Sequence, residues 1–212
     1  MPKIVINGTY IQKQGSGLGV VNQNLIAKLM NGDCLKDSLN KRQFDFRLYS
    51  QADCFKSQYP QQTIAVDPSL SPDRGLSGHI KRIFWYQTVL NQQLKRQQAD
   101  LFFSPVAEGI FFPRIPQIVT VHDLIPLQYP ELSPKWKYYY LYALPFLLKQ
   151  SQGIICVSEY TKQDLVKNYR LNPDSIDVVY NGYAQDLFYP KPDRAILQKY
   201  NLNKYLLYVG DM

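Results

Sequence analysis

Residues 117–123, Gln-Ile-Val-Thr-Val-His-Asp, decide how the chain folds. A short run rich in β-branched residues, without polar alternation, is expected where a strand is buried on both faces, as in a parallel sheet. This run ends on an imidazole and a carboxylate, His122 and Asp123. Working outward, the same kind of run recurs at 3–8 (KIVING), 44–50 (FDFRLYS), 63–66 (TIAV), 101–105 (LFFSP), 153–158 (GIICVS) and 176–182 (IDVVYNG). Helical stretches are expected between several of them, at 18–30, 78–98, 134–150 and 159–169. Strands that alternate with helices require crossover connections and therefore a mainly parallel sheet with helices on both faces, a Rossmann-like α/β fold.

Two helix starts carry their own chemistry. Ser133 before Pro134 reads as an N-cap ahead of a first-turn proline, and Ser158 before Glu159 as an N-cap followed by a charge suited to the positive helix end. In an open parallel sheet the ligand crevice lies beyond the carboxyl ends of the strands. The loops after the strands are thus where function is sought.

Composition narrows the classes. The 212 residues are 45% hydrophobic, 14% aromatic and 19% charged, which describes a folded domain rather than a disordered tail. The first residues read directly as a strand, without the pattern of a secretory signal. The longest almost wholly apolar run, 138–148, is shorter than the roughly 20 residues of a membrane span and contains Pro145. Cys34, Cys54 and Cys156 are too few and too scattered for a disulfide framework or a metal clip, so reduced thiols and a cytoplasmic location are expected. The net charge of +7 is spread over separate basic pairs, and no nucleic-acid signature accompanies it.

Four segments carry candidate chemistry. Gly15, Ser16, Gly17, Leu18 and Gly19 stand between the first strand and the first helix, where backbone N–H groups can approach a phosphate at a positive helix end. The spacing is not that of a dinucleotide fingerprint, which needs glycine at Val20, nor that of a P-loop. A plain flexible turn is the competing reading. His122 and Asp123 follow the decisive strand: His122 can donate to a sugar hydroxyl or reacting oxygen, and Asp123 can orient it or touch an acceptor. A structural histidine is the alternative. Ser158 and Glu159 lie at the cleft edge, with ordinary helix capping as their simplest role. Asn181, before Gly182, is a third cleft-edge candidate, with a turn as its simplest role. The segment 133–150, with Trp136, four tyrosines and Lys135, Lys137 and Lys149, suits either core packing or peripheral contact with a membrane.

Taken in order, GSGLG (15–19), VTVHDLIPLQYPE (119–131), GIICVSEYTKQDL (153–165), IDVVYNG (176–182) with the following FYP (188–190), and YLLYVG (205–210) resemble the N-terminal half of family-four retaining glycosyltransferases. Each motif is weak alone; five in order are specific. The resemblance implies the N-terminal, acceptor-side half of a GT-B fold: an acceptor domain at 1–185, a linker at 186–204, and at 205–212 the first strand of a donor-binding domain that is missing from these residues. It further implies transfer of a sugar, mannose among the candidates, from a nucleotide-sugar substrate to a saccharide or lipid-linked acceptor in polysaccharide biosynthesis. Retention, no essential metal and no other cofactor are expected. The resemblance also implies that His122 faces the reacting sugar, that Asp123 has a secondary role, and that 15–19 approach the donor phosphates or sugar. Val20 stands where relatives often carry a basic residue, and Tyr183-Ala184 replaces the usual aliphatic residue and aspartate after Asn-Gly. The half alone is expected to be inactive. A non-catalytic binding subunit of a split glycosyltransferase is the alternative, and peripheral contact at the inner face of the membrane is a further expectation.

Overall fold

The computed structural model describes residues 1–11, 16–32, 44–189, 195–202, 205, 206 and 208. Its elements are, in chain order, β1 (Lys3–Asn7), α1 (Gly17–Asn31), β2 (Asp45–Ser50), α2 (Asp53–Gln58), β3 (Thr63–Ala65), α3 (Gly75–Trp85), α4 (Asn91–Arg96), β4 (Leu101–Ser104), β5 (Gln117–Val121), α5 (Ile125–Gln128), α6 (Leu144–Lys149), β6 (Gly153–Cys156), α7 (Glu159–Tyr169), β7 (Ile176–Val178) and α8 (Ala195–Lys199). A π-helical segment, Tyr86–Leu90, joins α3 to α4 into one rod, and another, Tyr139–Ala143, leads into α6.

The seven strands form one sheet in the order β3-β2-β1-β4-β5-β6-β7, and every pairing is parallel. Successive side chains of a strand leave on opposite faces, and the core divides accordingly. Val5, Tyr49 and Phe102 pack with Tyr86, Leu90 and Leu94 on one face. Ile6 and Leu48, their chain neighbours in β1 and β2, pack with Ile26 and Met30 of α1 on the other. Val119, Val121, Ile154 and Cys156 bury against Leu144 and Leu147 of α6 and Leu165 of α7.

The seven strands expected between residues 3 and 182 are present, and the helix from Glu159 begins and ends where the sequence places it. The helix expected from residue 134 differs. Pro134 lies in a turn, Trp136 N–H donates to the Ser133 carbonyl at 3.0 Å, and helix begins at Lys137. Ser133 is therefore not a helix cap. α2 and α5, each one turn or little more, were not expected.

The chain divides into two compact units, Met1–Asn181 and Gly182–Met212. The first holds the whole sheet. The second contains α8; of the expected strand at 205–212, Tyr205, Leu206 and Tyr208 are described and belong to no strand, and the rest lies outside the described residues.

From β1 the chain moves outward to β2 and β3, then returns to pair β4 on the other side of β1. Between β1 and β4, loops on the carboxyl edge diverge in opposite directions and leave a crevice.

Candidate functional site at the switch point

A cavity of about 240 Å³ lies at that crevice. Tyr10, from the loop after β1, and Leu18, in the first turn of α1, form one side; Val106, Ala107 and Glu108, after β4, form the base. His122, Asp123 and Pro126, after β5, close a second side. Trp136, Tyr139 and Tyr140 close the third. Four aromatic rings with a few polar groups suit a ligand with both apolar and hydroxylated surfaces.

His122 is partly buried, and its Nε2 lies 3.0 Å from the Pro105 carbonyl oxygen. A carbonyl only accepts, so Nε2 carries the proton and Nδ1 is the ring nitrogen left for a ligand. Thr161 donates its hydroxyl to the His122 carbonyl at 3.2 Å, and the Ser158 hydroxyl lies 2.9 Å from that same Thr161 oxygen. Ser158 Oγ also accepts from Thr161 N–H at 3.1 Å as the N-cap of α7. The capped helix thereby holds the backbone of His122.

Asp123 is exposed; its Oδ1 accepts from Ile125 N–H at 3.0 Å and shapes the turn into α5. Its charge also acts on the cavity wall. Burial above all, then Asp123 and Tyr10, pushes the Tyr140 hydroxyl far up, so it stays protonated as a donor. Burial and then Glu108 raise Tyr10 as well.

Under the cavity lies a buried charge network that sequence reading missed. Glu108, 4% exposed, accepts from Arg82 Nε and Nη2, both at 2.8 Å, and from His79 Nδ1 at 2.8 Å. Arg82, itself 1% exposed, gives Nη1 to the Leu70 carbonyl and lies 5.2 Å from the Tyr10 ring centroid. Burial pushes the Glu108 carboxyl up, but the Arg82 and His79 contacts outweigh it and hold the group at about 2. The same partner outweighs burial at Arg82 and raises it. Tyr86, first residue of one π segment, donates to Glu108 at 3.2 Å, and Tyr139, first of the other, donates to the Ala107 carbonyl at 2.7 Å. Such π bulges are frequent at functional sites. A signal existed in the sequence: His79, Arg82 and Tyr86 recur on the same helical side as the apolar Leu90 and Leu94, which marks buried charge.

Of the residues singled out in the sequence, Leu18, His122 and Asp123 meet in the cavity, joined by Ser133, Trp136, Tyr139 and Tyr140 of the aromatic segment. Ser16 caps α1, its Oγ accepting from Gly19 N–H at 3.0 Å. Gly17 opens that helix, and a Cβ added there would meet nothing within 4 Å. Gly15 lies outside the described residues. Ser158 stands behind His122, whereas Glu159 and the exposed Asn181 line no part of the cavity. Among the described residues no three His, Cys, Asp or Glu side chains gather as a metal-ligand set.

An all-parallel sheet with a polar, aromatic cavity at its switch point defines a Rossmann-like domain of the kind that glycosyltransferases of the GT-B fold contain. Residues 35–186 match the model of Glycosyltransferase Family 4, and the chain belongs to that family. It is 31% identical over 94 residues to the O-antigen chain mannosyltransferase RfbU of Salmonella typhimurium, covering 44% of this chain and 24% of that protein. Among solved structures it resembles Anabaena Alr3699/HepE in complex with UDP and glucose, with a TM-score of 0.56 and 14% identity over 94% of this chain and 50% of that one. The apo form of the lipopolysaccharide outer core galactosyltransferase WaaB gives a TM-score of 0.51 and 12% identity over 86% and 46%. At these identities the likeness is one of fold. The match covers about half the length of those two solved structures, and the 94 matched residues about a quarter of RfbU.

Proposed function

We propose that this chain supplies the acceptor-side half of a glycosyltransferase that moves a sugar from a nucleotide-sugar to a saccharide or lipid-linked acceptor. The observation that carries the reading is the aromatic cavity containing His122 at the switch point of a family-four domain. The apolar face of a sugar ring packs on aromatic faces, and its hydroxyls find donors and acceptors at Tyr140, Asp123 and His122. A donor sugar set against His122 Nδ1 would be oriented by it and its developing charge stabilised, with no need for the imidazole to take the acceptor proton. Retention of configuration, a reaction without an essential metal, and phosphate approach at the start of α1 belong to the same proposal. Mannose is the first sugar to test, because RfbU is named a mannosyltransferase; glucose is the second, because HepE is seen with UDP and glucose.

The test is a transfer assay over a panel of nucleotide sugars and saccharide or lipid-linked acceptors. It is run on the 212-residue chain and on the chain joined to a donor-binding half, with NMR of the product's anomeric centre. Turnover is expected only with the donor-binding half. Robust turnover by the chain alone would overturn the half-enzyme reading, and none in either arm would overturn the transferase reading.

A further inference from the structure

Beside the cavity, two neighbouring helices present an apolar and basic surface to solvent. On α3, Leu76, Ile80 and Phe84 are spaced four apart, which places them in one row, and they are 42%, 60% and 69% exposed. On the helix that leads into α6, Tyr138 and Tyr142, also four apart, are 67% and 69% exposed. The two helices meet along a seam. At one end His79 of α3 lies with its ring centroid 4.2 Å from that of Trp136 and 4.9 Å from that of Tyr139. Further along, Asn91 Nδ2 donates to the Phe112 carbonyl at 2.9 Å, and the exposed ring of Phe112 meets Phe146 at 5.3 Å.

Exposed apolar side chains in such density mark an interaction face. Its charge says of what kind. Lys81, Lys135, Lys137 and Lys149 stand exposed among these residues, none in an ion pair among the described residues. Residues 75–99 and 132–158 contain no Asp or Glu. Tyrosine rings with polar tips and lysines with apolar stems fit the boundary between headgroups and acyl chains, and the excess of positive charge, opposed at Lys81 by Asp67, fits anionic lipid. No helix among the described residues is long and apolar enough to cross a membrane, so such a contact lies on the surface.

We propose that this face seats the protein on the surface of an anionic lipid bilayer. Trp136 and Tyr139 belong both to the seam and to the cavity wall, so seating brings the cavity to the headgroup layer, where a lipid-linked acceptor would stand. That last step rests on the transferase reading; the membrane contact does not.

The test is co-sedimentation of the 212-residue chain with phosphatidylcholine vesicles, with and without phosphatidylglycerol, at low and high salt. Binding is expected only with phosphatidylglycerol, weakening with salt, and at roughly fivefold per cation removed it should fall by about two orders of magnitude in Lys81→Gln/Lys135→Gln/Lys137→Gln. Ile80→Ser/Phe84→Ser should also release the protein, with an unchanged circular dichroism spectrum, while Lys28→Glu on α1 should not. Absence of phosphatidylglycerol-dependent binding would overturn the proposal, as would binding indifferent to both patch variants. Self-association abolished by Ile80→Ser/Phe84→Ser, without vesicle binding, would overturn it in favour of a contact between copies. Transfer to a water-soluble acceptor, assayed with a donor-binding half attached, is expected to survive the patch substitutions, so failure on vesicles and failure of the transferase reading are separate results.

Discussion

His122 Nε2 and the carbonyl oxygen of Pro105 lie 3.0 Å apart, which ties the loop after β5 to the loop after β4 through the imidazole itself. The contact assigns the proton to Nε2 and fixes the ring's orientation. Nitrogen NMR of the chain should show a protonated Nε2; a neutral ring protonated only at Nδ1 would contradict the contact. With the donor-binding half present, His122→Ala should remain folded and lose about 10²-fold or more in turnover, the usual scale for a well-aimed polar group at a reacting centre. Near-normal turnover in a folded variant would remove His122 from the reaction.

Two glycines separate a functional role from a structural one. A Cβ at Gly17 meets nothing within 4 Å, so Gly17→Ala should fold with unchanged or slightly greater stability, up to about 1 kcal/mol. If donor phosphate approaches this first turn, the same variant should nevertheless raise KM for the nucleotide sugar. A Cβ at Gly78 would sit 2.3 Å from the Ser71 carbonyl oxygen, a backbone atom that cannot rotate away. Gly78→Ala should lose about 1–3 kcal/mol in urea unfolding. Equal behaviour of the two variants would refute this division.

The carboxyl of Glu108 should make part of the stability depend on acid. Its pKa is held at about 2 in the folded chain against 4.5 for the ordinary group, so the folded state favours the ionised form. The stabilisation is complete above the ordinary value and is lost as pH falls toward 2. Glu108→Gln leaves Arg82 buried without its charge partner, a change that costs about 3–5 kcal/mol at neutral pH. The gap between wild type and variant should therefore narrow in unfolding measurements below about pH 4.5. A gap that holds constant down to pH 3 would show that Glu108 is not the acid-sensitive group.

What the sequence made legible follows from what each feature depends on. The strands are set by local apolar runs, and the start of α7 by Ser158, which acts within its own helix turn. The cavity's aromatic wall and charged base are not local. Glu108 gains its meaning from Arg82 and His79, more than twenty residues earlier in sequence, and a single glutamate after a strand does not announce them. The turn at Ser133 and Pro134 shows the converse: a good local capping signal yields where Trp136 packs against His79. His122 was visible because it stands at a strand end, but its tautomer depends on Pro105 in another loop.

The link from α7 to His122 gives the last prediction. Thr161 is 5% exposed, and its hydroxyl joins the Ser158 cap to the His122 carbonyl. Ser158→Ala removes the side chain that satisfies Thr161 N–H and should cost about 1 kcal/mol, the usual loss for an N-cap serine. Thr161→Val keeps the shape but leaves the His122 carbonyl without this donor, at a cost of about 1–3 kcal/mol where the group stays shielded from water. Because the lost bond holds the backbone that carries the imidazole, Thr161→Val should also lower kcat by about tenfold, since small displacements of a positioning contact are expensive in rate. Donor KM should change little. Thr161→Ser restores the hydroxyl without the methyl group and should recover most of the kcat, although the cavity it leaves keeps it less stable than wild type. A purely structural Thr161 would behave otherwise: both substitutions would reduce stability, and kcat per folded molecule would be the same in all three proteins.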